Sequence, residues 1–115
     1  GLSNFGVNIV KIAPSGISSL RHCHALQDEF IYVLEGNPTL HTNDGATKLA
    51  PDMCAGFKAG NHQAHNLENK TDSDVWYLEI GDRTPNDHAD YPDEDLQADF
   101  TNGCWIFTRK DGTAW

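Results

Sequence analysis

Apolar side chains in this chain recur at every second position, in short runs that end at glycine, proline, asparagine or aspartate. No window carries the three-and-four spacing of an amphipathic helix. That alternation predicts an all-β sandwich or barrel. Val7, Ile9 and Lys11 alternate with Asn8, Val10 and Ile12 until Ala13-Pro14-Ser15-Gly16 turns the chain. Residues 29–35 are rich in aromatic and β-branched side chains and end at Gly36-Asn37-Pro38. Glu29, Ile31 and Val33 share one face of that strand, and Phe30, Tyr32 and Leu34 share the other. Both faces are largely apolar, so it is expected to be covered twice, by the opposite sheet and by a partner or terminal segment. Asn43-Asp44-Gly45 marks a hairpin between 39–42 and 46–49, and 53–57, 65–69 and 75–80 read as further strands.

After Gly81 the pattern changes. Seven acidic residues fall between Asp82 and Asp99, with Pro85 and Pro92 and few apolar side chains. This stretch reads as an extended acidic arm over 82–103, followed by a terminal strand and tail over 104–115. The 115 residues are expected to form a single domain, 1–115, with its core in 5–81.

The chemistry is concentrated in residues 16–36. On an extended strand His22 and His24 project to one side and Cys23 to the other. A bend at Ala25-Leu26-Gln27-Asp28 returns Glu29 to the same cavity. Imidazole nitrogens and a carboxylate oxygen are ordinary ligands of zinc, iron, manganese or nickel, so this spacing reads as most of a metal site.

The run Gly16, five residues, His22-x-His24, four residues, Glu29, six residues, Gly36 resembles the first signature of the cupin superfamily. The second signature of that family ends in a histidine followed four positions later by asparagine. His65 with Asn69 matches that ending, after Gly56-Phe57-Lys58-Ala59-Gly60, where Lys58 stands in place of the usual proline. His62 with Asn66 has the same spacing and rivals His65. Tyr77-Leu78-Glu79-Ile80-Gly81 and Tyr91-Pro92-Asp93-Glu94-Asp95-Leu96 are similar to a branch of small single-domain cupins, in which the ligand falls at the position of His65. The likeness spans residues 5–112 and sharpens the expected fold to a cupin jelly-roll β-barrel. It implies one divalent metal ion (zinc, iron, manganese or nickel) held by His22, His24, Glu29 and His65. Three imidazoles and one carboxylate leave positions open for water or substrate, the layout of a catalytic site.

The resemblance implies a metal-dependent enzyme of the dioxygenase, isomerase or lyase type acting on a small polar metabolite. The alternative is a non-catalytic module that binds a small molecule. No second carboxylate stands out as a general base, which leaves Tyr32, Tyr77 and His62 as candidate proton-transfer groups near the site. Arg21 and Lys58 are candidates to steer an anionic substrate, set against the commoner fate of solvated side chains. His41 and His88 read as surface residues, and Cys23 as a structural thiol. Similar cupins pair by exchanging edge strands, which fits the doubly apolar strand 29–35 and predicts a homodimer. Cupins of this kind also carry further residues ahead of the first strand, implying a segment before Gly1.

Charge narrows the partners. Seventeen acidic residues against eight basic give a net charge of −9, which repels nucleic acid and anionic membranes. No apolar run is long enough to span a bilayer, and no signal-peptide pattern opens the chain. Three cysteines cannot all pair and none forms a C-x-x-C unit, so the chain is expected in the reducing cytoplasm. The sequon Asn69-Lys70-Thr71 is read as chance.

Overall fold

A computed structural model describes residues 1–115, which form eleven β-strands and no helix. Each stretch of alternation becomes a strand: β1 (Phe5–Ile12), β3 (Glu29–Glu35) and β8 (Val75–Asp82) are the long ones. With β6 (Cys54–Phe57) they make a first antiparallel sheet in the order β1-β8-β3-β6. The second sheet is β11-β10-β9-β2, from β11 (Cys104–Thr108), β10 (Leu96–Thr101), β9 (His88–Tyr91) and the two-residue β2 (Cys23–His24). A third sheet, β5-β4-β7, joins the hairpin of β4 (Thr39–Thr42) and β5 (Gly45–Lys48) to β7 (Asn66–Glu68).

The core lies on the inner face of the first sheet. Ile12, Ile31, Val33, Val75 and Tyr77 pack there with Leu40, Leu49 and Leu67, and Val10, Ala55 and Phe57 close its margin. Burying these side chains drives the fold, at roughly 1.5–3 kcal/mol for each large apolar group. Gly36 sits at φ +86° where β3 ends, and a Cβ there would stand 2.7 Å from the Asp74 carbonyl oxygen. Only glycine fits that turn. Asn69 is fully buried and braces the sheets: its amide donates to the carbonyls of Ile12 (2.9 Å) and Ser73 (2.8 Å). Its oxygen accepts from the Thr71 backbone N–H and hydroxyl. The sequon is therefore structural in use.

Several expectations need correction. The sheets do not close into a barrel: no strand ladder joins the three, and β6 and β5 are open edges. The strand expected to carry His22 and His24 is interrupted. Ser18 instead binds Leu67 through backbone and hydroxyl, Arg21 turns away to Asp93, and His22 meets His65 only in an isolated bridge. Nor are residues 82–103 an extended arm. They supply β9 and β10, because Ala89, Leu96 and Ala98 alternate inward with almost no exposure while the charged neighbours face out. The acidic composition masked a period of two. On β3, no terminal segment of the chain covers the outer face, where Phe30 and Leu34 are exposed.

Candidate metal centre

Four residues from three strands converge on one point. His22 precedes β2, His24 ends it, Glu29 opens β3, and His65 immediately precedes β7. His22, His24 and Glu29 offer ligand atoms within 4.8 Å of one another. Glu29 Oε1 lies 2.8 Å from His24 Nε2 and 3.7 Å from the Nε2 atoms of both His22 and His65. None of these approaches is aligned for a hydrogen bond, so the buried Oε1 has no hydrogen-bond partner. A buried carboxylate oxygen left without a donor is costly unless a cation satisfies it. His22, His24 and Glu29 are a donor set of the kind that holds a single divalent ion of the zinc, iron, manganese or nickel type, and His65, close to Glu29 but outside that trio, is the candidate fourth donor.

The far sides of the rings are fixed in three ways. His24 Nδ1 lies 2.7 Å from Asp87 Oδ2, and the other Asp87 oxygen accepts the Leu26 backbone N–H at 2.7 Å. Asp87 is 1% exposed. A buried carboxylate behind a ligating imidazole sets its tautomer and turns Nε2 toward the metal. His22 Nδ1 meets the Leu20 carbonyl at 2.9 Å, which does the same for that ring. His65 is held by stacking on Phe57, with ring centroids 3.5 Å apart and planes 3° off parallel, and its Nδ1 is unpartnered. Trp105 lies edge-on to His24 and Tyr91 against His22.

Charge follows this packing. Burial alone would raise the Glu29 carboxyl, but the His24 and His65 imidazoles hold it well below the ordinary carboxylate range. Burial would depress His24, yet Glu29 and Asp87 outweigh it and raise its pKa. For His22 burial prevails and lowers it.

A cavity of about 290 Å³ opens on this point, lined by His22, His24, Glu29, Asn8, Gln27 and Arg83 among others. A smaller one of about 100 Å³ behind it reaches His65, Tyr77 and Phe57. Arg83 is the one lysine or arginine on the larger cavity, and its guanidinium forms no ion pair with a carboxylate, hydrogen-bonding instead to the Leu2 carbonyl. A wider groove of about 530 Å³ lies at Arg21, away from the four converging residues, but Arg21 is already neutralised by two bonds to Asp93.

The other sequence candidates divide cleanly. Tyr77 is buried beside the centre, and burial raises its pKa, so its hydroxyl stays protonated. Tyr32 is on the outer face, bonded to Asp52, and away from the site. His62, at φ +58°, lines a depression shared with His24, Cys23 and His88 that does not include Glu29, so the structure brings His65 and not His62 to Glu29. Lys58 is exposed and lines none of these cavities. His41 is paired with Glu68 and His88 with Asp99.

Asp87 and Glu79, like Arg83 on the larger cavity, escaped the sequence reading. Asp87 was hidden in the acidic segment, where nothing local distinguishes it from solvated neighbours. Glu79 lines both cavities at the centre. Its signal was available: a carboxylate inside the apolar run 75–80, in phase with the inward-facing Tyr77.

The chain belongs to the cupin family: residues 8–81 match the model of the cupin domain. It is similar over its whole length to a protein from Silicibacter pomeroyi described as a sugar phosphate isomerase of the cupin superfamily, with 43% identity, TM-score 0.96 and 73% of that chain covered. A protein from Acidithiobacillus ferrooxidans that carries the name sugar phosphate isomerase provisionally is 29% identical, with TM-score 0.88, all of this chain and 73% of that chain covered. The polyketide cyclase RemF of Streptomyces resistomycificus shares the fold at 21% identity and TM-score 0.65, over 73% of this chain and 58% of that one. No curated protein matches the chain.

Proposed function

We propose that this cupin is a mononuclear metal-dependent enzyme that isomerises a small sugar phosphate, with His22, His24, Glu29 and His65 as the metal ligands. The observation that carries it is Glu29 Oε1, buried and without a hydrogen-bond partner amid three imidazole nitrogens. A divalent ion held there supplies Lewis acidity toward a carbonyl or hydroxyl oxygen. The chain's own groups do the rest. Arg83 offers a guanidinium to the anionic end of a substrate, Asn8 and Gln27 offer amides to its hydroxyls, and Tyr77 holds a proton at its phenol oxygen. Among the dioxygenase, isomerase and lyase alternatives, isomerase is favoured by the two similar proteins that carry that name.

The test is metal content by inductively coupled plasma mass spectrometry on protein purified without added metal or an affinity tag. It is followed by assays on aldose and ketose phosphates. About one zinc, manganese or nickel per chain with turnover supports the reading. About one iron with oxygen consumption moves it to a dioxygenase. A sugar phosphate that binds with metal present but is never converted makes the chain a binding module.

The same chain is proposed to work as a homodimer through the outer face of the first sheet. Val7, Ile9, Phe30, Leu34 and Trp76 present apolar surface there, and Ile9 is 65% exposed. Monomers seldom leave so broad a patch open to water. Light scattering that returns the mass of one chain at micromolar concentration would remove this proposal.

A further inference from the structure

We infer that Glu79 is the catalytic carboxylate that carries a substrate proton between adjacent carbons in this cavity, an inference that rests on the isomerase reading above. Glu79 lies on β8 opposite Ile31, in phase with Tyr77 and Gly81, so its side chain points inward. It lines both the larger cavity, with Glu29 and Arg83, and the smaller one, with His65 and Tyr77. A bound molecule spanning the two passes its carboxylate.

The other carboxylates at the site are already engaged. Glu29 pairs with three imidazoles, Asp87 braces His24, and Asp82 accepts the Asp28 backbone N–H at 3.1 Å. Of these four carboxylates only Glu79 has neither a hydrogen bond nor an imidazole within ion-pair distance, and in particular it pairs with none of His22, His24 and His65. It is therefore not placed as a further ligand. A half-buried carboxylate without a partner is a cost to folding that glutamine or leucine at this position would avoid. That cost makes sense if the partner is the substrate.

The chemistry balances within the substrate. Glu79 takes the proton from C2 of an aldose phosphate. The C2–H electron pair becomes the C1–C2 double bond while the carbonyl pair moves onto the C1 oxygen. The proton on Glu79 is then returned to C1, as the C2 hydroxyl proton passes through water to the C1 oxygen and a C2 carbonyl forms. No oxidant or reductant is consumed.

The test uses the metal-loaded full chain, with glyceraldehyde 3-phosphate, ribose 5-phosphate and glucose 6-phosphate as probes. Glu79→Gln is expected to keep its metal and its KM within a few-fold while kcat falls about 10³-fold. Exchange of the C2 hydrogen with deuterium oxide, followed by proton NMR, should fall in parallel. Glu79→Asp should retain measurable exchange, since it keeps the carboxylate and only shortens its reach. Exchange in Glu79→Gln at the wild-type rate overturns the role of Glu79 alone. Metal-loaded wild type that neither converts any probe nor exchanges its C2 hydrogen overturns the isomerase reading, and the role of Glu79 falls with it.

Discussion

The first and second sheets line the same cavity but position their side chains by different means. The first contributes Glu29, Tyr77 and Glu79 from long ladders, in which β3 is paired on both sides. Backbone pairing alone fixes where those side chains stand. The second contributes His24 from a strand of two residues, and His22 lies just ahead of it. A strand that short cannot hold a ring in place, so packing and hydrogen bonds from Asp87, Leu20 and Trp105 do so instead. Glu29 and Glu79 are placed by the sheet, and His22 and His24 by their braces.

The largest effect comes from removing one donor from each side. Both His24→Ala and Glu29→Gln are expected to take metal content from about one ion per chain to nearly none, with the far-ultraviolet circular dichroism unchanged. Stoichiometric metal retained in either variant would strike that residue from the ligand set. The brace itself comes next. Asp87→Asn leaves all four donors in place but loses the carboxylate behind His24, so metal affinity measured by chelator competition should fall roughly 10–100-fold. An unchanged affinity would mean that the second sheet holds its imidazole by packing alone.

The outer faces differ in degree. Val7 and Ile9 on the first sheet are apolar and exposed, whereas on the second the exposed Ile106 stands beside the charged, outward-facing Asp99. Ile9→Glu is expected to convert a dimer into a monomer by light scattering while metal content stays constant. A dimer that survives this change would place the interface elsewhere.

These differences also set what was legible in the sequence. Strands of the first sheet announce themselves, because an apolar period of two over seven or eight residues matches the pleat of a strand and not the turn of a helix. His22, His24 and Glu29 could be grouped because they lie close in sequence and strand geometry relates them. Asp87 could not, since it reaches His24 across 63 positions and its burial depends on β9 and β10 forming. Those strands were missed because small inward alanines beside acidic residues give a weak alternation. Barrel closure was likewise out of reach: it depends on ladders between distant segments, which a local bend at Ser18 and Arg21 disrupts.

The smallest expected effect tests whether an inward carboxylate on the first sheet costs stability. Glu79 has a pKa raised by burial and by Glu29, so its charged form is disfavoured in the folded state. The unfolded chain then releases that proton more easily, so the destabilisation is absent below the ordinary glutamate value of about 4.3. It grows as pH rises and is complete above the raised value. In metal-free protein Glu79→Gln should therefore be more stable than wild type at pH 7.5, by on the order of 1 kcal/mol or roughly 4 °C in Tm after allowing for partial solvation. At pH 4 the two should melt together. Equal melting temperatures at both values would show that Glu79 is satisfied by solvent, and that the sheet carries this carboxylate without penalty.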